Sequence, residues 1–142
     1  MTFLPPLIAL SALVTLAAAT SASADPMGLW RADDGGTLRI ARCGQALCAT
    51  IVTVVPANDP ETGRPMTDKF NLDPAKANRP LIGVQVLFGL QPNGAGKWKG
   101  QLYNADDGMI YEGHLIEQSP TGIRIEGCSL GICGGEDLAR VR

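Results

Sequence analysis

The chain has four cysteines, and they fall into two matching pairs. Each pair reads Arg-Ile-x-x-Cys-x4-Cys, with Cys43 and Cys48 in the first copy and Cys128 and Cys133 in the second. This spacing suits a disulfide that ties together the two ends of a short hairpin loop. Two hairpin loops closed by disulfides would constrain the chain to a fold rich in tight turns.

The N-terminal segment indicates the compartment. Residues 1–24 contain no charged side chain, and the run from Phe3 to Ala19 is nearly continuous apolar sequence. It ends in Ala22-Ser23-Ala24, a small-x-small pattern typical of signal peptidase sites. A transmembrane helix needs about 20 apolar residues, so this shorter run with Pro5-Pro6 disfavours a lasting anchor. We predict a signal peptide over residues 1–24, a periplasmic or secreted location, and no membrane span after cleavage. An uncleaved anchor is the alternative.

The pairing of the cysteines has more than one solution. In an exported chain an even number of cysteines indicates disulfides rather than metal ligands. Pairing within each copy closes short loops worth about 2 kcal/mol each, whereas crossed pairing closes long loops worth about 5 kcal/mol each. Bridged Cα atoms must lie within about 7 Å, a condition that the ends of a four-residue hairpin loop meet. We therefore predict Cys43–Cys48 and Cys128–Cys133, with crossed pairing as the alternative.

The mature chain, residues 25–142, is long enough for one domain. It carries all 12 basic and 14 acidic residues, for a net charge of −2. A chain so close to neutral gives no electrostatic reason to expect nucleic acid or an anionic membrane as a partner. We predict neither.

Short apolar and β-branched runs, separated by turn residues, fill most of this chain. Thr50 to Val55 is β-branched throughout and ends at Pro56, and Asp107-Gly108 is a strong hairpin signal. The runs lie at residues 37–41, 49–55, 82–90, 98–103, 109–118, 123–127 and 137–141. Such spacing, without a helical period, predicts an all-β barrel or sandwich.

Residues 57–80 interrupt this pattern with four prolines and several Asp and Asn residues. We predict a long Pro-rich loop with one short helical turn, in which Asp73 caps and Pro74 takes the first helical position. Long loops inside compact domains are usually functional or mobile. A solvated crossover is the alternative interpretation.

Gly28-Leu29-Trp30 opens the first strand of the mature chain. It resembles the Gly-x-Trp of lipocalins and the wider calycin barrels, where the Trp closes the barrel floor under an Arg of the last strand. The resemblance implies that Trp30 lies at the floor with Arg140 or Arg142 as its cation–π partner. The alternative is that Trp30 is an ordinary core residue.

An ordered set of further motifs spans the mature chain, which resembles the small exported bacterial proteins of domain-of-unknown-function family 2147. The resemblance implies a single lipocalin-like antiparallel barrel of about eight strands, with no established activity. Two positions depart from the family pattern: Ala105 replaces a common Pro, and Leu138-Ala139-Arg140 lacks the family's Trp. The motifs are Gly28-x-Trp30, Cys43-Gly44-x-x-Leu47-Cys48, Asp68-x-x-Asn71-x-Asp73-Pro74, Arg79-Pro80-Leu81-x-Gly83, Trp98-x-Gly100, Tyr103-Asn104-x-x-Asp107-Gly108-x-x-Tyr111 and Gly127-Cys128.

The sequence favours a binding protein over an enzyme. His114 is the only histidine, and we expect no cysteine to be free to act as a nucleophile. Each acidic pair lies close to a glycine, so a role in turns explains these pairs better than acid–base catalysis does. We predict no catalytic residue and no cofactor. The acidic pairs are Asp33-Asp34, Asp106-Asp107 and Glu136-Asp137.

We also predict no metal site. The cysteine spacing differs from the C-x2-C of zinc sites, and His114 is distant from the cysteines in sequence. Oxygen ligands for calcium are present in the long loop, but they do not match an EF-hand. These residues are Asp59, Glu61, Asp68, Asn71 and Asp73.

A set of seven polar and aromatic residues forms the predicted ligand site. Fixed donors and acceptors beside aromatic rings orient a ligand in an otherwise apolar pocket. The competing interpretation is that Asp68 and Arg79 only pin the long loop to the barrel. The seven are Asp68, Asn71, Asp73, Arg79, Tyr103, Asn104 and Tyr111.

Two functions follow from these predictions. The first is an exported lipocalin-like protein that binds a small hydrophobic molecule in or at the mouth of its barrel, since an eight-stranded barrel has room for one. The alternative is a protein-interaction module whose partner is an envelope protein, acting as a stress factor or an enzyme inhibitor. The barrel interior discriminates between the two functions, because an interior filled by Phe88, Trp98 and Leu102 would leave no room for a ligand.

Overall fold

The computed structural model describes residues 25–142, together with the isolated Ala17. These residues form eight strands and no helix. The predicted signal peptide, residues 1–24, lies otherwise outside the described residues and stays a prediction. The strands are β1 Gly28–Arg31, β2 Thr37–Cys43, β3 Ala46–Thr53, β4 Gln85–Pro92, β5 Lys97–Asn104, β6 Met109–Ser119, β7 Gly122–Ser129 and β8 Ile132–Arg140.

The eight strands close into one antiparallel barrel. Each strand pairs with the next in sequence, and β1 also pairs with β8 through Trp30 opposite Arg140. Closure leaves no unpaired sheet edge for another chain to extend. The predicted all-β, lipocalin-like barrel of about eight strands is confirmed, and the sandwich alternative is wrong.

Successive connections of an antiparallel barrel alternate between its two ends. The connections β1–β2, β3–β4, β5–β6 and β7–β8 therefore share one end, which we call the mouth end. The other three connections share the opposite end with both termini of the described chain, and we call this the floor end. The long connection between β3 and β4, residues 54–84, belongs to the mouth end.

The main cluster of buried apolar side chains lies in the floor half of the barrel. Trp98 and Leu102 pack against this core, whereas Phe88 packs in a second cluster with Ile51, Val84 and Tyr103. Burial of a Leu or Ile side chain contributes about 1.5–3 kcal/mol. The largest fully buried apolar side chains are Trp30, Ile40, Leu87, Leu90, Leu115 and Ile123.

The last strand differs most from its prediction. We expected residues 137–141, but β8 spans Ile132–Arg140 and includes Gly134 and Gly135. Glycine weakens a strand pattern in sequence. Here both glycines are held in the ladder, because Gly134 pairs with Gly127 and Gly135 pairs with Glu126.

The predicted helical turn in the long loop is wrong. Residues 74–78 form successive turns rather than a helix, with Lys76 N donating to Asp73 O at 2.9 Å. The expected capping contact is nevertheless present, since Ala75 N donates to Asp73 Oδ1 at 2.9 Å. The cap therefore stabilises a turn that does not continue into a helix.

Both disulfides are local, as predicted, and crossed pairing is wrong. Cys43 pairs with Cys48 and Cys128 with Cys133, and none of the cysteines is free. The first disulfide closes the β2–β3 hairpin at the floor end, and the second closes the β7–β8 hairpin at the mouth end. Two disulfides in so small a barrel indicate an oxidising compartment outside the cytoplasm. Among the described residues, no helix is long and apolar enough to cross a membrane.

We expect the oxidised protein to show no titratable thiol after denaturation and to lose stability on reduction. Each disulfide closes a short loop, so removing either pair should cost about 2 kcal/mol. Thermal unfolding of Cys43→Ser/Cys48→Ser and of Cys128→Ser/Cys133→Ser measures the two losses separately. Four free thiols in protein taken from its native compartment would contradict the prediction.

Candidate functional site

A buried carboxylate lies at the centre of the predicted site. Asp68 is 0% exposed, and its side chain accepts three hydrogen bonds. Tyr103 Oη donates to Oδ1 at 2.6 Å, while Asn71 Nδ2 and Arg79 Nε both donate to Oδ2 at 2.8 Å. Four of the seven predicted residues therefore form one network around this carboxylate.

The same network holds the long loop in place. Asp68 N donates to Arg79 O at 2.9 Å, and Asn71 N donates to Asp68 O at 2.9 Å. The loop is thus closed on itself through its backbone. Tyr103 belongs to β5, so its hydroxyl connects the closed loop to the barrel wall. These contacts agree with the interpretation that Asp68 and Arg79 pin the loop.

Burial and hydrogen bonding act in opposite directions on Asp68. Burial raises the pKa of its carboxyl group, but the bonds from Tyr103, Asn71 and Arg79 outweigh burial and leave the pKa below its ordinary value. For Tyr103, burial and the bond to the negative Asp68 together raise the pKa to about 12. The carboxylate is therefore ionised and the phenol neutral at physiological pH.

A cleft of about 550 Å³ lies beside this network, and we call it the loop cleft. Asp73 lies at its exposed side and accepts a hydrogen bond from Ala75 N. The guanidinium group of Arg79 lies over the Tyr103 ring, 5.9 Å from its centroid. Asp68 is buried behind this surface. The lining residues are Asn71, Leu72, Asp73, Lys76, Arg79, Gln85, Phe88, Tyr103, Gly108, Met109 and Ile110.

The other two predicted residues, Asn104 and Tyr111, line a different cleft. Tyr111 Oη donates to Asp107 Oδ2 at 2.5 Å, which raises the pKa of Tyr111 and lowers that of Asp107. Asn104 Oδ1 accepts a hydrogen bond from Asp106 N at 3.0 Å. The structure thus divides the seven residues between two clefts, and ligand binding by them stays a prediction.

This second cleft, about 790 Å³, opens at the mouth end, and we call it the mouth cleft. Its walls are partly apolar, because Leu102 and Ile125 are inward residues next to the core. Glu136 also lines this cleft, although it is absent from the predicted ligand site. The lining residues are Leu102, Asn104, Asp106, Tyr111, Ile125, Gly127, Ser129, Leu130, Ile132, Gly134, Gly135 and Glu136.

A row of glycines crosses the inner face of β5 to β8. Gly100 pairs with Gly113, Gly113 with Gly127, and Gly127 with Gly134. A Cβ on Gly100 or Gly113 would lie 2.6 Å from a neighbouring strand's backbone, so close packing explains these two. A Cβ on Gly134 would meet nothing within 4 Å. The absent side chain at Gly134 therefore leaves space that belongs to the mouth cleft.

Glu136 and Asp137 were predicted as turn residues, and this is wrong. Both lie within β8, where successive side chains point to opposite faces. Asp137 points outward and accepts hydrogen bonds from Arg124 and Gln118. Glu136 lines the mouth cleft instead. If the strand had been predicted to begin before residue 136, counting alternate residues back from the core residue Leu138 would have placed Glu136 on the inner face.

The floor end is closed by a Trp–Arg pair, as the lipocalin resemblance implied. Arg140 lies over the Trp30 ring at 4.3 Å from its centroid, and Trp30 Nε1 donates to Pro26 O at 2.7 Å. Gly28 has φ +134°, and a Cβ there would lie 2.9 Å from Arg140 Nη1. The Arg140 position thus explains the glycine of the Gly-x-Trp motif. Arg142 is exposed and does not serve as the partner of Trp30.

His114 belongs to a charged group on the outer face of the barrel. Its Nε2 lies 2.9 Å from Glu112 Oε1, and Lys99 Nζ lies 3.0 Å from the other oxygen of Glu112. Hydrogen bonds from these two partners lower the pKa of Glu112. The group links β5 to β6 by charge pairing, and the absence of enzyme activity stays a prediction.

In the part of the chain that the structure describes, one group of side chains brings possible metal-ligand atoms close together. Ligand atoms of Glu126, Cys128 and Cys133 lie within 4.8 Å of one another. The two sulfur atoms are joined in a disulfide, whereas zinc binds the thiolate form. These three residues therefore do not form a metal centre in the oxidised protein.

Comparison with known proteins gives a family and a fold. No curated protein matches the sequence. A solved Helicobacter pylori structure, described as "Protein HP1028 from the human pathogen Helicobacter pylori belongs to the lipocalin family", has a TM-score of 0.68 and 19% identity, covering 83% of this chain and 84% of that chain. At that identity the likeness concerns the fold alone. The model of the family described as "Uncharacterized protein conserved in bacteria (DUF2147)" matches residues 28–140, so the chain belongs to that family.

Proposed function

We propose that this protein is a periplasmic or secreted binding protein that holds a small hydrophobic molecule in the mouth cleft. The observation that carries the proposal is the cleft itself, about 790 Å³ at the mouth end of a closed barrel. Ligand sites usually measure about 300–1,000 Å³. The cleft has that size.

The composition of the walls supports the same proposal. Leu102, Ile125 and Ile132 supply apolar surface, while Tyr111 and Asn104 supply polar groups held by their own hydrogen bonds. A few fixed polar groups in an otherwise apolar cavity give a ligand its orientation. Trp98 and Leu102 pack against the core without filling this end of the barrel.

We expect Gly134→Leu to abolish binding of an uncharged fluorescent hydrophobic probe while the protein stays folded. The leucine side chain would extend into open space within the cleft, because a Cβ at Gly134 would have no neighbour within 4 Å. Fluorescence titration measures the loss, which should exceed tenfold in dissociation constant, about 1.4 kcal/mol.

Gly134→Ala is the matched control for this test. It makes the same change from glycine to a chiral residue but adds only a methyl group, so the probe should bind within a few-fold of the original affinity. Equal binding by the original protein and the folded Gly134→Leu variant would show that the probe lies elsewhere and would refute the proposal.

A second function is favoured by a separate observation. Within residues 25–142, the large apolar side chains that are exposed all belong to connections or strand ends at the mouth end, and we call them the apolar ring. Exposed apolar patches of this kind often mark protein-interaction sites. An envelope protein that covers the ring is the alternative partner. The ring comprises Val55, Phe70, Leu72, Ile82, Met109, Ile110, Leu130 and Ile132.

Native mass spectrometry of protein purified from its own compartment distinguishes the two functions. A bound small molecule supports the ligand proposal, and a stoichiometric protein partner supports the alternative. Phe70→Ser/Leu72→Ser should remove the protein partner and leave probe binding unchanged, because neither residue lines the mouth cleft. Loss of probe binding in this variant would contradict the assignment of the ligand to that cleft.

A further inference from the structure

We infer that the mouth cleft selects a cationic amphiphile, an apolar molecule bearing a protonated amine or quaternary ammonium group that pairs with Glu136. This inference rests on the proposed ligand function and deepens it by assigning the ligand's charge. It concerns one exposed residue that lines the cleft.

Glu136 lies among the inward residues of β8. It is directly opposite Ile125 of β7, and the same face of β8 carries Gly134 and the core residue Leu138. Its carboxyl group therefore projects into the cavity above the apolar core. The neighbouring Gly134 leaves space beside it for the body of a ligand.

Glu136 has no counter-charge of its own. Within residues 25–142, no hydrogen bond or ion pair joins its carboxyl group to another side chain. The nearest basic residue on the adjoining strand, Arg124, is engaged outside the barrel by Glu126 and Asp137. Glu136 is exposed where it lines the open cleft, so its carboxylate is accessible for pairing with a cation of the ligand. A bound ammonium group would supply that cation.

Three negatively charged side chains act on Glu136. They come from Asp33 and Asp34 in the β1–β2 connection and from Asp106 in the β5–β6 connection. Burial in the cleft and these three carboxylates raise the pKa of Glu136. A negative potential at the mouth attracts cations and repels anions such as fatty acids. The same charges therefore attract cationic ligands and repel anionic ligands.

Three probes with the same dodecyl chain test the inference: dodecyltrimethylammonium, dodecanol and dodecyl sulfate, each below its aggregation concentration. We expect the cation to bind about tenfold more tightly than the alcohol, as for a partly buried ion pair, and the sulfate to bind most weakly. Isothermal titration calorimetry measures the three affinities.

Glu136→Gln should remove the preference for the cation while leaving the affinity for dodecanol within a few-fold. Asp137→Asn is the matched control, because it makes the same charge change at the next residue on the opposite face of the strand. It should keep the preference. Glu136→Lys should reverse the order of the cation and the sulfate.

The preference should also depend on pH. The ion pair requires the ionised carboxylate of Glu136, so the preference should fall sharply as the pH falls through the raised pKa of Glu136. A raised pKa means that the folded state binds this proton more tightly than the unfolded state. Stability is therefore lost as the pH rises through that pKa. Glu136→Gln should consequently raise the melting temperature of the ligand-free protein at neutral pH.

The outcomes separate this inference from the proposed function. Equal affinities for the three probes, all lost in Gly134→Leu, would overturn the inference and support the proposed function. No binding of any probe would overturn both. A cation preference that persists in Glu136→Gln would overturn the role of Glu136.

Discussion

Asp68→Ala is expected to lower the free energy of unfolding by about 3 kcal/mol, because it removes the acceptor for three hydrogen bonds at a site without access to water. Tyr103 is 7% exposed, so its hydroxyl group would have no replacement partner nearby. Arg79 is 38% exposed and would turn to solvent, which limits the loss. Equilibrium unfolding in urea measures the change.

Asp73→Ala is the control on the same loop. Its carboxylate is exposed and caps a single backbone N–H, so its removal should have a much smaller effect. Tyr103→Phe should cost about 1.5 kcal/mol, since it removes one donor and leaves the other two in place. Equal losses for Asp68→Ala and Asp73→Ala would show that the buried network does not hold the loop.

The same network has a pH signature. The folded-state pKa of Asp68 is lowered, so the folded state binds this proton less tightly than the unfolded state. The stabilisation is present above the ordinary value of 3.8 and is lost as the pH falls below it toward the lowered pKa. Asp59, Asp107 and Glu112 have lowered pKa values as well. The relevant quantity is therefore the difference in acid sensitivity between the original protein and Asp68→Asn.

The role of this network separates loop fixation from ligand binding. Asp68 has no solvent-exposed surface with which to contact a ligand in the loop cleft. Its neighbours Asn71 and Arg79 line that cleft but direct their donor groups at Asp68. Asn71 Nδ2 and Arg79 Nε are therefore already used to hold the loop, which favours the mouth cleft as the ligand site.

The order of the strands was predictable because each run is short and ends at a recognisable turn. Asp107-Gly108 is an example: Gly108 has φ +73°, and a Cβ there would collide with the carbonyl oxygen of Phe70. The local disulfides were predictable for a related reason, because a hairpin brings residues that flank its turn together. Closure of β1 against β8 does not follow from local pattern, and here the family resemblance supplied it.

The division of the predicted site between two clefts was missed because the run predicted at residues 98–103 left Asn104 in the following turn, whereas β5 includes it. Tyr103 and Asn104 are neighbours in sequence, but successive residues of a strand point to opposite faces. Tyr103 therefore reaches the loop, while Asn104 faces the mouth cleft. Glu136 was not predicted to line a cleft because Gly134 and Gly135 kept the first half of β8 from being recognised as a strand. Without that half, the alternation of inward and outward side chains along β8 could not be followed to Glu136.

We expect Arg140→Ala to lower the free energy of unfolding by about 3 kcal/mol, because one guanidinium group makes three hydrogen bonds and a cation–π contact. Its nitrogens donate to the carbonyl oxygens of Pro120, Met27 and Asp25 at 3.0, 2.9 and 2.7 Å. These carbonyls lie on two separate segments at the floor end. Loss of Arg140 would release the N-terminal segment and uncover the Trp30 ring.

Arg142→Ala is the matched control, since it removes the same charge two residues later from an exposed position and should leave the unfolding midpoint unchanged. Arg140→Lys should recover little of the lost stability, because a single ammonium group cannot donate to all three carbonyl oxygens that the planar guanidinium group reaches. A double-mutant cycle with Trp30→Phe isolates the cation–π contact, whose coupling should be about 1 kcal/mol. Full recovery by lysine would mean that charge alone holds the floor end together, whereas the geometry requires the fork of donors to connect the segment before β1, the β6–β7 turn and the last strand.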